Sequence, residues 1–103
     1  MFLEPELEPG QLVFSVAGRD KGRPYLVVGY ENATKYGTFV FVVDGKYRTV
    51  QRPKRKNVKH LKATKLKAEE LAGRFQDGNP VSNAEIRKRL DDLLAVYQEN
   101  AKA

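Results

Sequence analysis

The stretch GQLVFSVAGRDKGRPYLVVGY, residues 10–30, decides the fold. It contains two runs rich in β-branched and aromatic residues, at 11–16 and 25–30, separated by a polar interval with two glycines and a proline. Runs of this composition predict β-strands, and the glycines and the proline predict a tight loop. We therefore expect a strand, a loop over residues 17–24 and a second strand.

A third run, TFVFVV at residues 38–43, is the most apolar in the chain. Asp44-Gly45 follows it and favours a type I′ hairpin turn, because both residues tolerate positive φ. Residues 46–50 would then form the returning fourth strand, which Pro53 interrupts since proline cannot donate to a strand ladder. Several short strands with tight turns predict a small barrel or sandwich. A barrel is the more economical choice, because closure removes exposed edges.

The C-terminal part changes to a helical period. A short helix is predicted at residues 65–76, ended by the turn-forming residues 77–80. Ser82 and Glu85 then have the spacing of a capping box, and Val81 and Ile86 that of a hydrophobic staple. We expect this second helix to pack on the barrel, and the alternative is that its apolar face binds a partner protein. That face consists of Ile86, Leu90, Leu93, Leu94 and Tyr97.

The positive charge of the chain lies in one block. The net charge is +6, yet residues 1–44 and residues 68–103 each carry a net charge of −2. Residues 45–67 contain 10 Lys or Arg and no Asp or Glu. Such a block attracts a polyanion, since each neutralised phosphate releases condensed counterions. The alternative is a solvated surface that contacts nothing.

The composition argues against catalysis, metal binding and secretion. There are no cysteines and one histidine, His60, so disulfides, cysteine nucleophiles and cysteine-based metal sites are excluded. The acidic pairs Glu69-Glu70 and Asp91-Asp92 fall on predicted helices, where adjacent side chains diverge. We expect no enzyme activity, no cofactor and no metal. In the absence of a basic, apolar leader or a run of membrane length, we expect a cytoplasmic protein that contacts no membrane.

Residues 10–30 resemble a KOW motif, which comprises a strand, a glycine-containing loop and a second strand. The similarity is to KOW-containing ribosomal proteins of eukaryotes and archaea and to small bacterial KOW-domain relatives. It implies an SH3-like barrel that binds RNA. KOW modules also occur in NusG-type transcription elongation factors and can bind proteins. The matching residues are Gly10, Val13, Val16, Gly18, Arg19 and Lys21-Gly22-Arg23, extended by Val42 to Gly45, Arg48, Arg52 and the basic run toward Leu61.

Together these features predict a mainly β domain with C-terminal α structure. Residues 1–9 form a lead-in, residues 10–63 an SH3-like KOW barrel with a basic strip, and residues 64–103 a helical extension packed on the barrel. The predicted function is non-catalytic RNA binding at the ribosome, by a protein that is a monomer when free. Ribosomal RNA is the expected partner, with ribosomal proteins as further candidates. The alternative is a protein-interaction module of the transcription or translation machinery, with a NusG-like or Tudor-like barrel.

The predicted RNA contacts come from the loop and from the basic strip. Gly18 and Gly22 are expected to shape the loop through positive φ or close backbone approach, so that backbone N–H groups reach a phosphate. Most tyrosines are expected to pack in the barrel, and the alternative for Tyr25, Tyr30, Tyr36 and Tyr47 is stacking on bases. The cations expected to contact RNA are Arg19, Lys21, Arg23, Lys46, Arg48, Arg52, Lys54, Arg55, Lys56, Lys59 and Lys62, with Lys65 and Lys67 beyond them.

Overall fold

The computed structural model describes residues 7–31 and 38–102, which form five strands and two α-helices. All neighbouring strands are antiparallel, and their order in the sheet is β4-β3-β2-β1-β5. A short 3-10 helix, Val58–His60, joins β4 to β5. The elements are β1 (Gln11–Ser15), β2 (Pro24–Tyr30), β3 (Phe39–Val43), β4 (Lys54–Asn57), β5 (Leu61–Lys67), α1 (Glu69–Asp77) and α2 (Asn83–Lys102).

Both faces of the sheet are covered, which explains why the first three strands are continuously apolar. Adjacent residues of a strand point to opposite faces. Leu12, Leu26 and Val43 accordingly join the helical residues Ile86 and Leu90 in one core. Val13 and Val27, which follow Leu12 and Leu26 in their strands, face a second core on the other side of the sheet. This second core contains Val13, Tyr25, Val27, Val40, Val42 and Val58.

The sheet is not closed, because β4 and β5 remain its two edges. The structure thus confirms an antiparallel β-sheet followed by C-terminal helices that pack against it, with as much helix as strand. Both edge strands are rich in lysine, and a charged edge resists pairing with another chain. No helix in the described part of the chain is both long and apolar enough to span a bilayer.

Helix α2 begins as its sequence predicts. The backbone N–H of Glu85 donates to Ser82 Oγ at 3.1 Å, and the N–H of Ser82 donates to Glu85 Oε2 at 2.9 Å. Val81 packs against the core that contains Ile86, as the hydrophobic staple requires. Ile86 and Leu90 are buried, and the ring centroids of Tyr97 and Phe14 lie 4.9 Å apart. The apolar face of α2 is therefore used for packing on the sheet.

The predicted fourth strand at residues 46–50 is wrong. The carboxylate of Asp44 accepts the backbone N–H groups of Lys46, Tyr47 and Arg48, which holds these residues in a compact turn. Gly45 has a φ of 78°, but no other residue of the described turn has positive φ, so a type I′ pair does not form. The fourth strand begins only after Pro53, where the missing N–H of proline costs no ladder bond.

The predicted helix at residues 65–76 begins too early. Lys65, Leu66 and Lys67 belong to β5, which pairs with β1, and α1 starts at Glu69. The hydroxyl of Thr64 donates to the carbonyl of Leu12 at 2.8 Å and reinforces this pairing. Without β5, the outer edge of β1 would lose its backbone partners. The sheet thus extends past residue 63, where the sequence suggested the barrel ends.

Candidate nucleic-acid interface

The loop between β1 and β2 depends on two left-handed glycines. Gly18 has a φ of 83° and Gly22 a φ of 90°, which confirms the prediction of positive φ. The N–H of Gly22 donates to the carbonyl of Ser15 at 2.7 Å, and the N–H of Ser15 donates to the carbonyl of Arg23 at 2.9 Å. A Cβ at Gly22 would meet no atom within 4 Å, so the requirement for glycine there is conformational rather than steric.

Asp20, at the tip of this loop, lies at the centre of a buried polar cluster. Its carboxylate accepts hydrogen bonds from Ser15 Oγ at 2.9 Å and from the Tyr25 hydroxyl at 2.8 Å. It also pairs with Lys56 Nζ at 2.7 Å and with Lys54 Nζ at 3.0 Å. Sequence reasoning missed Asp20, because its partners on β4 are distant in the chain. The only signal was an acid between two basic residues in the loop.

The ionisation of this cluster follows from its surroundings. Burial by itself would raise the pKa of Asp20, but the hydrogen bonds from Lys56, Tyr25, Lys54 and Ser15 outweigh it and hold that pKa well below its ordinary value. Burial raises the pKa of Tyr25, and the hydrogen bond to Asp20 raises it further. Asp20 is therefore an anion whose charge is compensated by two lysines.

The cations in the central part of the predicted basic strip are consequently engaged in contacts within the protein. The side chain of Lys56 is 8% exposed and also donates to the carbonyl of Ala17 at 3.1 Å, so it lies in the interior and not on an RNA-facing surface. The guanidinium of Arg55 pairs with Glu31 at 2.9 Å and lies 3.5 Å from the Phe39 ring centroid. Lys54 remains partly exposed. Lys67 pairs with Glu8 at 3.1 Å.

The other predicted cations are exposed, and several converge beside the glycine loop. The N–H of Val16 donates to the carbonyl of His60 at 2.9 Å, which brings the start of the loop to the 3-10 helix. Lys54 reaches Asp20 from β4. The glycine loop and residues 54–59 therefore meet at one end of the sheet. We call this the loop-end basic surface and define it as Arg19, Lys21, Lys54 and Lys59. Lys62 lies opposite Phe14 in the ladder between β1 and β5 and therefore faces the α2 side of the sheet, away from this surface.

A second group of cations surrounds Tyr47. The Arg23 guanidinium lies 4.6 Å and Lys46 Nζ 5.1 Å from the centroid of its ring. Tyr47 is 64% exposed, as is Tyr30, whereas Tyr25 is buried. Tyr36 lies outside the described residues. Arg48, Arg52, His60 and Lys65 are also exposed.

The described residues contain no group of three or more His, Cys, Asp or Glu that could hold a metal ion.

Comparison with known proteins assigns no family. No family model matches the sequence, and no curated protein matches it either. Function is therefore inferred from the arrangement of cations and from the KOW resemblance of residues 10–30.

Proposed function

We propose that this protein is a non-catalytic RNA-binding module with an SH3-like, KOW-type barrel, which associates in the cytoplasm with ribosomal RNA. The observation that carries the proposal is the loop-end basic surface. Its cations come from the glycine loop and from residues 54–59, two stretches that are far apart in sequence, and folding is needed to bring them together. A charge run that only improves solubility has no need for such convergence.

The charges of this surface are available to a ligand. The side chains of Arg19, Lys21 and Lys59 are exposed and form no ion pair with any described residue. The one described acid among them, Asp20, is compensated by Lys54 and Lys56. A phosphate approaching the loop thus meets cations and no uncompensated carboxylate. Release of its counterions favours binding without regard to base sequence.

The fixed geometry of the loop adds a reason to expect phosphate binding. The ion pairs of Asp20 with Lys54 and Lys56 of β4 hold the loop against the sheet. The loop therefore loses little conformational entropy when it binds a phosphate. Arg19 follows Gly18 at the exposed tip and makes no hydrogen bond with any described residue. Its side chain and its backbone N–H can therefore face the same phosphate. The KOW resemblance supports RNA rather than DNA, and ribosomal RNA in particular.

The test is the salt dependence of binding to a fluorescein-labelled ribosomal RNA hairpin, followed by fluorescence anisotropy. The variant R19A/K59A removes two charges from the loop-end basic surface. The matched control K88A/R89A removes two charges from α2, so both proteins have the same net charge. We expect the first pair to lower affinity and to flatten the plot of log K against log salt by about 0.7–0.9 per lost phosphate contact.

The control should bind like the wild type. Equal effects of the two double variants would mean that only net charge matters, and would overturn the proposed interface. Sedimentation of the tagged protein through sucrose tests the ribosomal part of the proposal. We expect it to travel with ribosomal particles at low salt and to leave them after RNase treatment. A protein that sediments alone at low salt would contradict ribosome association.

A further inference from the structure

The turn that follows β3 presents an exposed aromatic side chain with two cations close to it. Tyr47 is 64% exposed, and the Arg23 guanidinium and Lys46 Nζ lie 4.6 and 5.1 Å from the centroid of its ring. Lys46 belongs to the same turn, but Arg23 ends the glycine loop. Two parts of the chain therefore supply positive charge to one ring.

The turn itself is fixed to the rest of the domain. The Asp44 carboxylate accepts the N–H of Tyr47 at 2.9 Å, together with those of the residues on either side. Gly45 lies so close to α2 that a Cβ there would be 2.5 Å from the carbonyl oxygen of Asn83. Arg87 Nη1 also donates to the carbonyl of Gly45 at 2.6 Å. The ring of Tyr47 is thus displayed from a backbone that has little freedom to move.

An open groove of about 450 Å³ lies beside the ring, between this turn and α2. Pro24, Leu90 and Leu94 contribute its apolar lining. Arg23, Lys46 and Arg87 contribute positive charge, and Asp44 and Asp91 contribute negative charge. A flat apolar group that carries an anion fits this combination. The Tyr47 ring and the aliphatic side chains can cover the apolar group, while the cations pair with the anion.

We infer that Tyr47 is a stacking platform for one unpaired base of an RNA, with the adjoining phosphate bound by Arg23 and Lys46. This inference rests on the RNA-binding function proposed above. A base within a duplex has both faces covered by its neighbours, so only a loop, bulge or single strand can supply the exposed face. The electron-rich face of tyrosine accepts any base, and the two cations select for a nucleotide over a neutral aromatic compound.

Tyr30 provides a matched comparison. It is also 64% exposed, but it ends β2 beside Glu31, whose carboxylate pairs with Arg55. No cation of the described residues lies over its ring. The two residues are equally exposed, but the described residues place two cations and a groove beside Tyr47 only. Tyr30 should therefore contribute little to nucleotide binding.

The experiment exploits the absence of tryptophan from the chain. Y47W and Y30W each introduce a single tryptophan, whose fluorescence is quenched when a base stacks on it. The probes are a fluorescein-labelled RNA hairpin with an adenine-rich loop and the blunt duplex of the same stem, with anisotropy reporting binding independently. We expect the hairpin to quench Y47W with the same midpoint as its anisotropy, the duplex to quench it far less, and neither RNA to quench Y30W.

Side-chain replacements give a second readout on the same RNAs. Tyr47→Leu should weaken hairpin binding by about 5- to 150-fold, the range expected for one lost stacking contact, while Tyr47→Phe should retain it. Hairpin binding by anisotropy without quenching of Y47W, or equal quenching of Y30W, would overturn the stacking site and leave the RNA-binding function standing. Failure of the wild type to bind either RNA at low salt would overturn both.

Discussion

Lys56 Nζ lies 2.7 Å from Asp20 Oδ1, and both side chains are 8% exposed. The two residues are 36 positions apart, one in the loop after β1 and the other in the edge strand β4. Their contact holds the glycine loop, which carries Arg19 and Lys21, against the edge strand β4. A buried ion pair therefore fixes the loop that carries two of the exposed, unpaired cations of the loop-end basic surface.

Removing one member of this ion pair should destabilise the folded protein. Asp20→Asn keeps the size of the side chain but leaves Lys56 as a buried cation without a counterion. We expect a loss of about 3–5 kcal/mol in the free energy of unfolding, measured by urea denaturation. The exposed Lys59→Ala serves as the control and should change stability by less than about 0.5 kcal/mol.

A double-mutant cycle separates the ion pair from other effects of these substitutions. Lys56→Met replaces the buried ammonium with an apolar side chain of similar length. Because the double variant D20N/K56M no longer buries an unpaired charge, it should be more stable than the sum of the two single changes predicts. Strict additivity would show that Asp20 and Lys56 do not stabilise one another.

The loss of stability in acid should follow the carboxylates that are hydrogen-bonded in the folded state. The guanidinium of Arg74, 2.5 Å from Glu85, and the capping bonds at Ser82 lower the pKa of Glu85 from 4.5 to about 2. The unfolded chain, with the higher pKa, then binds the proton more readily. The contribution of Glu85 is fully present above pH 4.5 and is lost as the pH falls towards 2.

Urea denaturation at a series of pH values tests this dependence. Glu85→Gln should flatten the decline of stability between pH 4.5 and 2, because the titrating group is gone. The matched control is Glu99→Gln, since Glu99 is exposed near the end of the same helix. This control should leave the decline unchanged, and an equally steep profile for Glu85→Gln would contradict the assignment.

The first three strands and the second helix could be predicted from sequence because their signals are local. Apolar runs marked β1, β2 and β3, and the spacing of Ser82 and Glu85 marked the start of α2. The edge strands β4 and β5, with sequences KRKN and LKATKLK, lack an apolar run because each has a partner on one side only. Their lysines suggested one continuous basic strip, although the two strands lie at opposite edges of the sheet.

The candidate site likewise has some features that could be predicted from the sequence and others that could not. The positive φ of Gly18 and Gly22 follows from a short loop between two strands, so the residue types suffice to predict it. The burial of Lys56 could not be predicted from the residue types, because it depends on a contact with Asp20, which lies 36 positions away in the chain. Equally, the cations around Tyr47 could be named from sequence, but their convergence on one ring depends on how the loop and the turn meet.

The conformational demand at Gly22 can be separated from the space around it. A Cβ would meet nothing within 4 Å at Gly22 or at Gly73 in α1, but only Gly22 has positive φ. Gly22→Ala should destabilise the protein by about 1–2 kcal/mol, the cost of a left-handed L-residue. Gly73→Ala should stabilise it by about 0.5–1 kcal/mol, because alanine favours the helix. Thermal melts that shift in the same direction for both variants would contradict this explanation.

The packing of α2 on the sheet should make its buried and exposed aliphatic residues differ in their effect on stability. Leu90 is 6% exposed and lies in the core with Leu12, Leu26 and Ile86, whereas Val96 on the same helix is 42% exposed. Leu90→Ala removes a buried side chain and leaves a cavity, so it should cost about 2–5 kcal/mol. Val96→Ala should cost less than about 0.5 kcal/mol, although both changes shorten an aliphatic side chain in a helix. Urea denaturation of the two variants gives the comparison directly. If Leu90→Ala were as stable as Val96→Ala, α2 would not be part of the cooperative unit, and a fragment ending at residue 79 should then fold and bind RNA like the whole chain.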